Sequence, residues 1–381
     1  MSEYQYYEFQ AVDRPLTREQ MSGLRAYSSR AQITPSSFAN EYHYGSFKGD
    51  PDQWMEKYFD AFLYLANWGS RWFMLRLPKR LLDQQVAAPY DAGESFSCRW
   101  KDDSVILSFR SEDEDYEWAE GEGWLASLVQ TRSELMRGDH RALYLGWLLA
   151  VQSEGIDVDA LEPPVPPGLG DLSAPLDRLA DFLRIDGDLI AAAAERSPGK
   201  QAADLAGNEI GAWLLNLPSK EKDTILATLI EGNDPHLAAE LRQRVIRDVR
   251  GVGKPSEGPR RTAGNIISRA EILAETRKKR EVEQRAREKA RIEREQAEKR
   301  KKHLESLVGK ESSLWSKVDE LIATKLPKRY DEAVSILQDL HDLAAMRGMS
   351  SDFSFRMRAL HNQHARKPSL VERFRTAKLL G

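Results

Sequence analysis

From Ile266 to Leu307 the chain has neither glycine nor proline, and Arg, Lys and Glu dominate it. Helix propensity leaves such a segment one regular conformation, a single long helix. At 1.5 Å per residue, about 40 residues reach roughly 60 Å. Between Arg277 and Lys302 its apolar residues are only Val282, Ala286, Ala290, Ile292 and Ala297, too few and too small for a strong heptad seam. Opposite charges four apart (Glu281/Arg285, Glu283/Arg287, Glu295/Lys299, Glu298/Lys302) support the helix locally instead, at roughly 0.2–0.5 kcal/mol each. The expectation is a solvated single helix or a weak coiled coil acting as a spacer.

This helix also divides the charge. The net of −4 conceals 29 basic and 18 acidic residues from Arg260 onward, a net of +11, against −15 for residues 1–259. A basic tail suits an acidic partner or its own acidic half; a solvated charged helix also has this composition. With 9 Trp, 12 Tyr and 12 Phe the chain must have packed interiors, so a wholly disordered or collagen-like chain is excluded. One cysteine, Cys98, excludes an internal disulfide and any zinc site of paired cysteines. The longest apolar run, Leu143 to Val151, contains Gly146 and is far short of the roughly 20 residues a membrane span needs. Met1 to Tyr7 lacks the basic and apolar regions of a signal peptide. A cytoplasmic location with no membrane association is expected.

Residues 1–160 read as an α+β domain with a small sheet. Tyr6 to Val12 alternates as a strand and is broken by Asp13-Arg14-Pro15; Thr17-x-x-Gln20 has the form of a capping box and opens a helix. A second strand is expected within Phe38 to Phe47. Asp50-Pro51 starts a helix, read here as carrying Trp54, Tyr58, Phe59, Phe62, Leu63, Leu65, Ala66 and Trp68. Arg71 to Pro78 is a third strand, and residues 95–110 form a hairpin turning at Lys101-Asp102-Asp103. Helices on one face of the sheet, in a ferredoxin-like arrangement, would satisfy this order.

Apolar helical stretches follow at Trp124 to Met136 and His140 to Val151. The proline-rich run Leu161 to Gly168 marks a boundary to an all-helical domain over 161–250. Its third and fourth helices are expected at 202–217 and 219–231. Residues 251–264 read as a linker, 265–307 as the long helix, and 310–381 as a helical tail domain. The tail carries three apolar stripes: Leu314, Trp315, Val318, Leu321 and Ile322; then Tyr330, Ala333, Val334, Leu337, Leu340 and Ala344; then Phe353, Phe355, Met357 and Leu360. Predominantly α overall, with an α+β N-terminal domain, is the fold class.

The last third, with its Arg/Glu-rich helix followed by Leu304-Glu305-Ser306-Leu307, Leu314-Trp315, Val318 to Lys325, Tyr330-Asp331-Glu332-Ala333-Val334, Leu340-x-x-Leu343-Ala344 and Ala365 to Leu370, resembles the helical tail of bacterial SWIM-type zinc-finger proteins. The resemblance covers about 110 residues. The Cys-x-Cys and Cys-x-His ligands that define that family are absent from this sequence. It implies at most a shared docking module, in a family associated with nucleic-acid or protein partners.

Two charged clusters are the candidate sites. An acidic loop holds Glu112, Asp113, Glu114, Asp115, Glu117, Glu120 and Glu122; of these, Glu112 to Glu117 are read as a docking loop. Clustered carboxylates can hold a hard cation, but the ligand spacing of a calcium loop is missing, and a solvated loop or one meeting the basic tail fits better. In the tail, Arg356, Arg358, His361, His364, Arg366, Lys367, Arg373, Arg375 and Lys378 could form a surface for phosphates. His361-x-x-His364 alone makes an incomplete metal site. Tyr42, Tyr44, Trp54, Trp68, Trp72 and Trp100 could stack bases but fit core packing better, as does Cys98. With no nucleophile elbow, Walker loop or dinucleotide fingerprint in the sequence, no catalytic, metal or cofactor-binding residue is assigned and no cofactor is expected. The expected function is a non-enzymatic adaptor bridging protein partners across the spacer. A nucleic-acid-binding accessory protein is the alternative, and a carboxylate-based metal enzyme the least supported. Oligomeric state is open.

Overall fold

The computed structural model describes residues 3–113, 120–199, 207–232, 234–250 and 260–380. It divides into two compact units, Met1–Arg277 and Lys278–Gly381. The first contains β1 (Gln5–Gln10), α1 (Arg18–Arg25), β2 (Gln32–Thr34), β3 (Ser37–Tyr42), α2 (Pro51–Lys57), β4 (Ala61–Ala66), β5 (Arg71–Pro78), α3 (Gln84–Ala87), β6 (Phe96–Lys101) and β7 (Ser104–Ser111). The strands form one sheet in the order β2-β3-β1-β4-β5-β7-β6. Every neighbouring pair is antiparallel.

Strand alternation sends side chains to two different cores. Phe9, Phe38, Phe62 and Met74 pack with Leu24 of α1 and Trp54 and Met55 of α2. Leu63, Leu65, Phe73, Leu75, Leu107 and Phe109 pack against the helices that follow β7. The expected ferredoxin-like arrangement is therefore not what forms: the sheet has seven strands, and helices cover both faces. The helix expected from Asp50 to Trp68 is also corrected. Asp50 caps α2, its side chain accepting from the Gln53 N–H, but the helix stops at Lys57 and residues 61–66 are β4. A strand buried on both faces is a continuous apolar run, which periodicity cannot tell from a buried helix. The Thr17/Gln20 capping box is present at α1.

The helices on the second face are α4 (Trp124–Leu128), α5 (Gln130–Met136), α6 (Arg141–Gln152), α7 (Ala174–Leu183) and α8 (Gly187–Ala194). Gly146 lets α6 lie directly on β6: a Cβ there would stand 2.4 Å from the Phe96 ring. Next come α9 (Gly207–Asn216), α10 (Ser219–Glu231), α11 (Leu237–Arg250) and α12 (Ala263–Leu307), the long helix expected from the sequence. The linker expected at 251–264 lies outside the described residues up to position 259.

The root of α12 is fixed by a clasp. Leu161 and Thr262 form an antiparallel bridge, and the Glu162 N–H donates to the Arg261 carbonyl at 2.9 Å. The Arg261 guanidinium donates twice to the Glu162 carboxylate, at 2.7 and 2.9 Å, and to the Ala192 and Ala193 carbonyls at the end of α8. Tyr144 donates to the same carboxylate. Ala263 and Ile266 are buried in the second-face core. Arg269 then pairs with Glu195, and Arg277 with Asp188.

The second unit holds the rest of α12 with α13 (Glu311–Ala323), α14 (Pro327–Met346), α15 (Ser350–His364) and α16 (Pro368–Thr376). Its core joins Val318, Ile322, Ala333, Leu337, Leu340, Phe353, Met357, Leu360, Leu370 and Phe374. Pro327 opens α14 where its missing N–H costs nothing. Gly348, at φ +71°, terminates it, with its N–H donating to the Ala345 carbonyl. Arg300 of α12 pairs with Asp339 and Asp342 of α14, and His303 with Asp339.

Candidate interaction surfaces

The predicted acidic loop is described only in part. Glu112 and Asp113 follow β7, and Asp113 lies 3.5 Å from Arg184. Glu114, Asp115 and Glu117 lie outside the described residues. Among the described residues no group of three or more His, Cys, Asp or Glu side chains could hold a metal ion.

Three of the six aromatics weighed as a stacking platform are divided between the faces of the sheet, while Tyr44 and Trp68 are exposed outside the strands. Trp54 is buried and Trp72 half-buried on the first face, whereas Trp100 packs on the second. Trp72 donates to the Ser108 hydroxyl at 2.8 Å and carries the Arg110 guanidinium 3.9 Å above its ring. Burial chiefly pushes the nearby Tyr64 phenol up to about 12, with Glu112 adding to the rise against the Tyr7 hydrogen bond. Cys98 is buried, and desolvation with the Asp91 charge pushes its thiol up to about 12, so it is an inert core residue.

The predicted basic surface resolves into paired and unpaired groups. Arg373 is held by Asp331 at 2.6 Å, Arg375 lies 3.7 Å from Glu372, and Lys367 donates to the Ile322 carbonyl. Arg356 sits 5.8 Å from the Trp315 ring centroid. Burial, with Lys367 beside it, holds His364 below the usual imidazole value despite the opposing Asp319 charge. The shift disfavours a positive charge on this imidazole. His361 is half-buried. Arg358, Arg366 and Lys378 are exposed and make no ion pair among the described residues.

Phe355 changes the meaning of this group. It was expected in the core stripe of α15, yet it is 77% exposed. Phe353, Met357 and Leu360 recur at helical spacing and face the core, whereas two residues, about 200° of turn, separate Phe355 from Phe353. Its outward direction was legible from that phase. Phe355, Arg358 and Asn362 lie on one solvent-facing stripe at i, i+3 and i+7, and Arg366 continues it just past the helix end.

A second surface belongs to α9–α11, which form a small lobe of the first unit. Its core is Trp213, Leu217 and Val245 with Ile225 and Leu241. Trp213 donates to Asp248 at 2.9 Å, and Arg244 lies 5.5 Å from the Trp213 ring while pairing with Glu221. Polar contacts hold the lobe against the sheet domain. Arg80 meets Asp234 and Glu240, the His236 Nε2 lies 3.0 Å from Asp13, and Gln243 donates to the Leu81 and Met136 carbonyls. On its outer side α10 has no buried residue. Leu226, Leu229 and Ile230 are 54%, 61% and 83% exposed, and Leu215 at the end of α9 is 81% exposed. The helical repeat predicted these helices but not that their leucines find no cover.

No protein-family model matches the chain, and neither a curated protein nor a solved structure shows significant similarity to it. No helix among the described residues is long and apolar enough to cross a membrane.

Proposed function

We propose that this chain is a non-enzymatic adaptor that binds protein through the outer face of α9–α10. The observation that carries the reading is α10 itself, which directs Leu226, Leu229 and Ile230 to solvent and buries none of its residues. Contiguous apolar exposure of this kind is costly in a free protein and typical of interaction sites. Helices with open apolar sides take other helices in their grooves. The long helix α12, which begins at the Glu162–Arg261 clasp and carries Arg300 paired with Asp339, serves this reading as a spacer. The test is capture from lysate on immobilised full-length chain, wild type against Leu226→Asp with Leu229→Asp. A protein retained by the wild type and lost from the variant is expected; identical capture would overturn the reading.

The stripe on α15 supports a second reading, an accessory contact to nucleic acid. Phe355 offers a ring for base stacking, Arg358 and Arg366 offer phosphate contacts, and Asn362 can meet a base edge. Fluorescence anisotropy with single-stranded DNA and RNA tests it. Salt-sensitive binding that weakens with Phe355→Ala and Arg358→Ala is expected, and binding unaffected by either would overturn it.

A further inference from the structure

We propose that the α9–α11 lobe is a reversible lid on the sheet domain, released as a folded unit when the polar latch around His236 opens. The inference concerns how the lobe is held, and it stands whether or not the outer face of the lobe binds protein.

Three observations carry it. First, no shared apolar core joins the lobe to the sheet domain. Trp213, Leu217 and Val245 pack with Ile225 and Leu241 as a cluster of their own, and among the described residues neither core of the sheet domain takes a side chain from α9–α11. The lobe meanwhile ties its own helices together. Trp213 of α9 donates to Asp248 of α11 at 2.9 Å, and Arg244 of α11 pairs with Glu221 of α10. Elements tied to each other in this way, and only lightly to the rest, open as one cooperative unit.

Second, the described bonds across the seam are ones that water can replace. Arg80 meets Asp234 and, at 3.4 Å, Glu240; the Arg80 and Glu240 side chains are each 44% exposed. Gln243 donates to the Leu81 and Met136 carbonyls at 3.0 and 2.8 Å, and His236 Nε2 lies 3.0 Å from the Asp13 carboxylate. Partly exposed ion pairs are screened by salt and exchange readily with solvent.

Third, the half of the latch that belongs to the sheet domain is complete without the lobe. Arg132 is buried and donates to the Asp13 carboxylate and to the Arg76 carbonyl, while the Asp13 N–H donates to Asp60. Withdrawal of His236 therefore leaves Asp13 with a buried cationic partner, and no charge is stranded. The clasp at the root of α12 is the opposite case, since Arg261 has no second carboxylate among its described partners. Opening uncovers Leu81, which is 2% exposed in the turn against which α11 packs and belongs to neither core. With it come the Asp13 carboxylate and the Leu81 and Met136 carbonyls, a surface of acceptors that the closed lobe hides.

The test is acylation of histidine by diethyl pyrocarbonate in the native full-length chain, read residue by residue by mass spectrometry. His236 is 8% exposed when the lobe is closed. His43 is exposed and reports the reagent's own rate, and the buried Cys98, probed in parallel with a thiol reagent, reports opening of the sheet domain itself. Relative to His43, labelling of His236 is expected to rise several-fold in the wild type from about 0.05 to 1 M salt. At low salt Arg80→Ala and Gln243→Ala should each raise it by up to about five-fold, as loss of a partly exposed polar contact predicts. Cys98 should stay unreactive throughout, which separates release of the lobe from unfolding. His236 labelling that rises only in step with Cys98 would mean that the lobe opens only when the domain does, and would overturn the proposal. So would labelling indifferent to salt and to both substitutions, because the latch would then not be what holds the lobe.

Discussion

Only the first compact unit buries basic–carboxylate pairs deeply among the described residues, although it also carries exposed ones such as Arg269 with Glu195. In the first, Asp60 is buried, accepting two bonds from Arg76 and the backbone N–H groups of Val12 and Asp13. Arg132 is buried against Asp13 and the Arg76 carbonyl, and Arg261 against Glu162. In the second unit the described pairs are more exposed, Arg300 with Asp339 the least so. Arg291 with Glu288, Lys302 with Glu298 and Arg329 with Glu332 all keep about half or more of their side chains exposed. A buried pair is costly to break because one partner is left desolvated and alone, whereas a surface pair trades easily with water. Net charge along the sequence, −15 against +11, says nothing about this difference in placement.

The contrast can be broken or sharpened by substitution, and the largest effect is expected at the clasp. Glu162→Ala strands the buried Arg261 and leaves Tyr144 without its acceptor. Urea unfolding should show a loss of about 3–5 kcal/mol, and a loss no greater than at a surface pair would erase the distinction. Next comes Asp60→Asn, with about 2 kcal/mol expected from weakening charged hydrogen bonds. Burial alone would raise the Asp60 carboxyl, but Arg76, the Asp13 N–H and Arg132 outweigh it and hold the group below the usual carboxylate range. A folded value below the unfolded one means that its ionised form stabilises the protein above about pH 4. That contribution drains away as pH falls through the depressed value. The wild type should therefore lose more stability between pH 5 and pH 2 than the variant does, within about the same range of carboxylate titration. Parallel acid limbs would show that Asp60 contributes nothing.

A smaller and local effect is expected at Cys98. With its thiol pushed up to about 12, it should resist a thiol reagent at pH 8 and react fully in denaturant. Rapid labelling of the native chain would mean that the edge strand β6 opens readily. The smallest effect is expected in the second unit, where Glu298→Gln removes an exposed helix pair. The thermal midpoint should stay within measurement error, and a shift of several degrees would show that surface pairs act there as a cooperative network.

What the sequence revealed follows the same physical division. Caps, turns and the long helix were legible because they depend on local chemistry: Thr17 with Gln20, Asp50 with Pro51, and the unbroken charged run of α12. The strand β4 was not, since Phe62, Leu63 and Leu65 read alike in a helix or in a strand covered on both faces. Phe355 carried an overlooked signal, its phase between Phe353 and Met357. Leu226, Leu229 and Ile230 carried none, because a stripe has the same pattern whether or not anything packs on it. The division of the basic group likewise depends on partners distant in sequence, such as Asp331 for Arg373 and Ile322 for Lys367.

The bridge between Leu161 and Thr262 has a consequence for how such a chain can change over generations. It draws the two ends of everything between them to a single neck, so the route from α6 into α12 is set there and not by the excursion it closes. Length changes in an exposed part of that excursion are tolerated far more readily than changes in the packed neck. The α9–α11 lobe can thus be recut, enlarged or exchanged while α12 leaves the sheet domain from the same anchorage. Tolerance of length change and constancy of anchorage thus fall to different stretches of one polypeptide.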